Sequence, residues 1–335
     1  MNVKILDISY FLPCKILTNA ELKYQNPDWN MDNVANNSGV IERRIAGEGE
    51  TAFDLTKRAC ESLFSEGGPE KSDIDAIIFC TQSPDYIMPS NAFLLHEYLN
   101  LSENVLAFDY TLACSGYVYG LAIARALILS GTATKILLAT ADTYSRYINE
   151  GDRSARVLFG DGAAVTLIGP TQNDEGIIDV ILATSGRHHR NFFIPAGGSR
   201  LPKVEDSNGE VDSSGNIRTL NDIHMDGIGV WKFIQSTVPK QISTLMSRNS
   251  LTAKDIDLFV FHQASKLTVD SLRKALHLPE SKVYLNISKT GNLVSASLPV
   301  ALKNGLLEGR IKPGDLILIS GFGVGLSWGS LLIKF

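Results

Sequence analysis

Short apolar runs alternate with segments of helical period along most of the chain, a pattern that predicts an α/β fold. Val3–Tyr10, Asp75–Thr81 and Val105–Phe108 read as strands, and Thr51–Ser65 reads as an amphipathic helix. A short helix is predicted near Asn19–Tyr24, ahead of a polar segment through Arg43 and Arg44. Between Gly116 and Gly131 the only charged residue is Arg125, so a helix there is predicted to be buried nearly all round. The run Val105–Phe108 reaches that helix through Asp109-Tyr110-Thr111 and Ala113-Cys114-Ser115, which places Cys114 at a strand-to-helix elbow.

The pattern occurs twice. Ser72–Ser83 reads SDIDAIIFCTQS and Lys254–Ser265 reads KDIDLFVFHQAS, each between two helical segments. Gly120–Thr140 and Val300–Ser320 form a looser second pair in the same order. Both halves are expected to close on a glycine-containing hairpin, VLFGDGAAVTLI and GVGLSWGSLLIKF. Two matches in one order predict a duplicated β-α-β unit. Two such units packed face to face place equivalent strand ends around one cleft, where ligands of α/β proteins bind. The repeat aligns Cys80 with His262 and so puts His262 at the end of a buried strand, where a lone histidine is more often a satisfied core residue. The stretch 196–224, dense in Gly, Ser, Asn and Asp, is predicted to be a mobile surface insertion, with a lid over the cleft as the sharper alternative.

Composition narrows the classes. A chain of 335 residues with 44% hydrophobic and 20% charged side chains suits two units or one large α/β body. The start MNVKILDISYFLP lacks the features of a secretory signal, and no uncharged apolar run reaches the roughly 18 residues of a membrane helix. The expected compartment is the cytoplasm, with no membrane partner. A net charge of -5 gives no reason to expect nucleic acid. Four cysteines without C-x-x-C spacing argue against a disulfide framework and a zinc site, so neither metal nor cofactor is expected.

The unpaired N–H groups and partial positive charge of a helix N-terminus are expected to lower the Cys114 thiol from about 8.5 toward neutrality and make it a nucleophile. Cys14, Cys60 and Cys80 have ordinary packing explanations. GFGVGLSWG lacks G-x-G-x-x-G spacing and leads into a strand rather than a helix, so its glycines read as permitting a tight turn and close backbone approach. Asn292 after Gly291 reads, by itself, as a turn residue capping a helix from about Ser295.

Taken together, FDYTLACSGYVYGL around Cys114, FGDGAA at Phe159–Ala164, FHQAS at His262, GNLVSASLPVAL at Asn292 and GFGVGLSWGSLLIKF resemble the β-ketoacyl-acyl-carrier-protein synthase III family of condensing enzymes, nearly end to end. The resemblance implies a thiolase-like fold with two duplicated β-α-β halves in a layered αβαβα arrangement. Residues 1–170 would form the half carrying the nucleophile, and 171–335 the half carrying His and Asn, with the insertion near 196–224. It also implies a triad of Cys114, His262 and Asn292. Acyl exchange onto Cys114 keeps the acyl group activated. When a malonyl thioester then loses CO2, neutral His262 and the Asn292 amide would each donate to the enolate oxygen, at about 3 to 4 kcal/mol per donor. Backbone N–H groups of Cys114 and Val324 would hold the tetrahedral oxyanion. Implied partners are an acyl carrier protein, an acyl thioester and a second copy of the chain in a homodimer.

The chain departs from the family in several places. Asn33 and Asn37 stand where coenzyme A-primed members carry a stacking Trp and Arg, so acetyl-CoA is expected not to be the preferred primer. Arg153 matches an arginine that contacts nucleotide or phosphates. Ser265 replaces the Asn of His-Gln-Ala-Asn and is expected to alter the hydrogen bonding around His262, and Val324 replaces a glycine. Met88 aligns with the residue that reaches across the dimer to close the acyl tunnel, with plain core packing as its alternative. Lys266, Arg273 and Lys274 are candidate contacts for an acidic carrier protein or, equally, a solvated helix face. The same fold also permits acyl transfer to an O, N or S acceptor with His262 as general base. A cysteine hydrolase and a non-catalytic partner subunit are the alternatives from other classes.

Overall fold

The computed structural model describes residues 2–65, 68–205 and 207–335. The chain opens with β1 (Asn2–Phe11), β2 (Lys15–Thr18), α1 (Asn19–Gln25), α2 (Met31–Ser38), β3 (Glu42–Ile45), α3 (Ala52–Leu63), β4 (Ala76–Cys80) and α4 (Asn91–Leu99). It continues through β5 (Leu106–Tyr110), α5 (Gly116–Leu129), β6 (Ile136–Asp142), α6 (Arg153–Arg156), β7 (Gly162–Thr171) and β8 (Gly176–Thr184). Four two-residue strands follow, β9 (Phe192–Phe193), β10 (Glu210–Val211), β11 (Ile217–Arg218) and β12 (His224–Met225). The remainder is α7 (Gly227–Arg248), β13 (Leu258–Phe261), α8 (Lys266–Ala275), α9 (Ser297–Leu307), β14 (Leu316–Gly323) and β15 (Ser327–Lys334).

Two sheets carry the architecture, one ordered β1-β7-β6-β4-β5 and the other β13-β14-β15-β8. Residues alternate across each strand, so neighbouring side chains serve different layers. Ala76 and Ile78 of β4 pack with α5 and α9 and with Leu258, Ile317 and Leu331 of the second sheet. Ile77 and Phe79 turn to the other face, against α3 and α4. In the second sheet Phe259 and Phe261 pack outward against α7 and α8. The layers therefore run α3/α4, first sheet, α5/α9, second sheet, α7/α8, which is the αβαβα arrangement.

The repeat is visible in detail. Asp75 accepts from the N–H groups of Thr134 and Lys135 at 2.8 and 3.0 Å, just ahead of β6. Its counterpart Asp257 accepts from the Leu316 N–H at 2.8 Å, at the start of β14. In both halves one aspartate fixes the register of the strand that follows the crossover helix.

Some local expectations differ. β5 extends to Tyr110, and α5 is fully buried only along its sheet-facing side, with Ala126 and Leu129 exposed in its last turns. VLFGDGAAVTLI is not a hairpin. β6 and β7 pair antiparallel, but residues 143–161 lie between them, and the buried Asp161 anchors that excursion by accepting from the Ala46 N–H at 2.7 Å and the Ser145 N–H at 3.0 Å. Within 196–224, residue 206 lies outside the described residues. The rest is held to the body by Arg218, whose Nε donates to the buried Asp152 at 2.7 Å and whose Nη1 donates to Asp212 at 3.0 Å.

Candidate active site

Cys114, His262 and Asn292 line one cavity of about 440 Å³, together with Phe322 and Gly323. They come from three different junctions: the β5–α5 elbow, the end of β13 and the turn before α9. All three are nearly closed from solvent, at 4%, 1% and 4% exposure.

The elbow is pressed between the two halves. A Cβ on Gly323 would lie 2.8 Å from Cys114 Cβ and 3.0 Å from its Sγ, and one on Gly321 would lie 2.8 Å from the Cys114 carbonyl oxygen. These two glycines let β14 approach Cys114, the close backbone approach expected of the glycine-rich ending. The turn that follows holds Val324 without a left-handed backbone, because Gly325 takes the positive φ of +133°. Ser327 Oγ donates to the Val324 carbonyl at 2.8 Å.

The thiol differs from its sequence expectation. Burial pushes the Cys114 thiol well above the ordinary range, and the carboxylate of Asp142 adds to the shift. A helix start is present, but the Gly116 N–H already donates to the Ala113 carbonyl at 2.8 Å, and desolvation outweighs what remains of the helix field. Burial therefore favours the neutral thiol at Cys114. Cys80 and Cys60 are buried as expected, whereas Cys14 is exposed rather than packed.

His262 follows β13, and its N–H donates to the Ser320 carbonyl at 2.8 Å. The ring meets Phe322 edge-on, with centroids 5.7 Å apart, and neither ring nitrogen has a hydrogen-bond partner among the described residues. Burial lowers its pKa to about 3, so the imidazole is neutral and offers one donor and one acceptor. Ser265 makes no hydrogen bond to the ring: its Oγ caps α8 by accepting from the Thr268 N–H at 3.1 Å. The residue that shapes this strand end is Gln263, whose Nε2 donates to Phe261 and Tyr284 carbonyls at 2.7 and 3.2 Å.

Asn292 is both turn residue and open donor. Its Oδ1 accepts from the Val294 N–H at 2.9 Å, and its amide nitrogen makes no hydrogen bond among the described residues. Fixing Oδ1 in the turn fixes which end of the amide is free to donate.

Beyond Phe192 a smaller cavity of about 210 Å³ is lined by Gln82, Tyr144, Ile223 and Val324. Tyr144, Phe159 and Phe192 pack ring to ring beside Cys114. On the other side, a cleft of about 640 Å³ holds Arg153, Arg190 and Arg218 and shares Met225, Gly227 and Ile228 with the central cavity. Arg190 was not singled out from sequence, because nothing in GRHHRN says which of its cations turns toward a cleft. Asn33 and Asn37 lie on α2 and bond to each other at 2.9 Å. Met88 is 79% exposed on the loop before α4 and lines none of these cavities. On α8, Lys266 pairs with Asp270 at 2.6 Å and Arg273 approaches the same carboxylate at 3.7 Å, while Lys274 makes no ion pair among the described residues. Among the described residues no group of three or more His, Cys, Asp or Glu side chains is placed to hold a metal ion.

Residues 108–186 match the family described as 3-Oxoacyl-[acyl-carrier-protein (ACP)] synthase III, and residues 246–335 match its C-terminal part. The chain is 35% identical to the Beta-ketoacyl-[acyl-carrier-protein] synthase III of Campylobacter curvus, over 100% of this chain and 97% of that protein. It is 36% identical to the protein of the same name from Caldanaerobacter subterraneus subsp. tengcongensis, over 99% and 97% of the two chains. A solved 3-oxoacyl-(acyl-carrier-protein) synthase III superposes with a TM-score of 0.97 at 39% identity, covering 100% of both chains. The 3-oxoacyl-(acyl-carrier protein) synthase of Burkholderia xenovorans LB400 superposes with a TM-score of 0.92 at 32% identity, covering 100% and 94%. Likeness on this scale runs through both sheets and every junction that delivers a residue to the cavity, and the chain belongs to the 3-oxoacyl-acyl-carrier-protein synthase III family of acyl-transferring condensing enzymes.

Proposed function

We propose that the enzyme transfers an acyl group from a thioester to Cys114 and condenses it with the carbanion left when a malonyl carrier protein loses CO2. The observation that carries this reading is the convergence on one cavity of a thiol, a neutral imidazole with no hydrogen-bond partner among the described residues and a free amide donor.

In the first half-reaction the Cys114 sulfur attacks the acyl carbon, its proton passes to the departing thiolate, and a thioester is exchanged for a thioester. Backbone N–H groups of Cys114 and Val324 hold the tetrahedral oxygen. In the second, the C–CO2 bond of the malonyl group breaks, and its electron pair forms an enolate whose oxygen accepts from His262 and Asn292. That carbanion attacks acyl-Cys114, expels the thiolate and leaves a 3-oxoacyl carrier protein. Every group required is a side chain or backbone N–H of this chain, so no further cofactor is assigned.

The connected clefts give the thioester arm its path, with Arg153 and Arg190 meeting phosphate at the outer end and the cavity beyond Phe192 receiving a short acyl group. Because Asn33 and Asn37 satisfy each other and offer no aromatic surface, the adenine platform is missing and acetyl-CoA is a poor primer. The carrier protein docks around the outer cleft. Two of the three α8 cations share Asp270, whereas Arg187, Arg190 and Lys232 are exposed along the rim of that cleft and the groove beside it. The homodimer forms across the β5 edge, where the neighbouring loop presents Ile87 at 97% exposure beside Met88. Free thiols at all four cysteines fit the cytoplasm as the setting.

The test is intact-protein mass spectrometry with a panel of acyl-CoAs and acyl carrier proteins, then malonyl carrier protein. The expected result is an adduct on Cys114, absent in Cys114→Ala, that malonyl carrier protein discharges with release of CO2. An adduct that malonyl carrier protein leaves in place would replace condensation with simple acyl transfer.

A further inference from the structure

We propose that Asp142 is a positioning residue for condensation: its carboxylate, reaching from the first sheet into the second half of the chain, holds the Val294–Ser295 turn that keeps the Asn292 amide on the cavity. The inference rests on the reading of Asn292 as a donor to the enolate.

Asp142 ends β6 and is fully buried, with no cation paired to it among the described residues. Its partners are the Gln82 N–H at 2.8 Å, the Ser295 N–H at 3.2 Å and the Ser295 hydroxyl at 2.5 Å. One oxygen is therefore fixed by the first half, and the other grips the backbone and side chain of a residue in the second. A buried carboxyl with no counter-ion is costly to keep, so an apolar joint would be the cheaper way to pack two layers.

What it grips explains the cost. Val294, immediately before Ser295, is a β-branched residue held at a φ of +54°, a conformation that such side chains avoid. Its N–H donates to Asn292 Oδ1. If Val294 relaxed, that N–H would swing away and the amide would lose its fixed orientation. The Asp142–Ser295 bonds lie next to the strained residue and clamp it from a strand that does not share its local chain. Val294 also lies in the buried cluster around Cys114, but the groups that press closest on Cys114 are Gly321 and Gly323 of β14, which take no part in these bonds.

The experiment separates the half-reactions in Asp142→Asn and Ser295→Ala. Acylation of Cys114, followed by mass spectrometry, is expected to proceed without slowing in both. Turnover of the acyl-enzyme with malonyl carrier protein is expected to fall about 10- to 100-fold, as a misplaced group does, with KM unchanged. Combining Asp142→Asn with Asn292→Ala should give no loss beyond Asn292→Ala alone, because one residue acts through the other. Parallel losses in both half-reactions, or losses that multiply in the double variant, overturn the proposal. If Asn292→Ala itself leaves condensation intact, the failure lies with the donor role of Asn292, and the positioning role falls with it. Should Asp142→Asn not fold, Ser295→Ala reads the same joint, since it removes one hydroxyl and leaves the carboxylate two N–H partners.

Discussion

His262 and Asp142 are both buried without a counter-ion, and burial moves them in opposite directions, to about 3 and about 7. The folded protein binds the Asp142 proton more tightly than the unfolded chain, whose carboxyl titrates near 3.8. Its contribution to stability is therefore complete at low pH and is lost as pH rises from about 4 to about 7. His262 works the other way: its folded pKa lies below 6.5, so its contribution is complete at neutral pH and is lost as pH falls toward about 3. Urea unfolding of wild type and Asp142→Asn across this range is expected to show a stability difference that shifts against wild type between pH 4 and 7 and then levels, and a flat difference would contradict the assignment. That Cys114, His262 and Asn292 share one cavity was legible only from the motifs taken as a set, since His262 and Asn292 read singly as a core residue and a turn residue. The direction of the thiol shift was not. A helix start can be read from local pattern, but the burial that outweighs it comes in part from β14, about two hundred residues further on, and Asp142 was hidden because its partners Gln82 and Ser295 lie far from it in sequence.

Among the elements, β14 and the insertion carry the sharpest expectations. Gly323→Ala sets a methyl group against Cys114 from a strand that cannot retreat, and should cost about 1 to 3 kcal/mol of stability as well as slow acylation. Gly198→Ala, which meets nothing within 4 Å, is the matched control and should unfold like wild type in the same denaturant titration. Arg218→Ala leaves the buried Asp152 without its cation and is expected to cost about 3 kcal/mol, read as a lowered urea midpoint. The crossover helices and strand starts were legible because Asp-Ile-Asp recurs ahead of an apolar run in each half. The excursion between β6 and β7 was not, since its anchor Asp161 works through partners at Ala46 and Ser145 that no local window contains.

At the scale of the whole molecule, the first sheet ends in β5 with an open edge, beside a loop whose Tyr86, Ile87 and Met88 are all exposed. Clustered apolar side chains next to an unpaired edge mark an association surface. The proposed homodimer predicts that replacing Ile87 and Met88 together by Asp yields a monomer in analytical ultracentrifugation, and a sedimentation coefficient equal to that of wild type would place the interface elsewhere. The layered plan could be read from the sequence because duplication doubles every signal, while the exposed apolar loop could not, as an exposed side chain leaves no periodic trace. The close fit of Gly321 and Gly323 against Cys114 also orders events in time. On the ribosome the thiol emerges long before His262 and Asn292, and β14, the strand that covers it, follows later still. A chain cut short of β14 therefore carries the thiol without the glycines that enclose it.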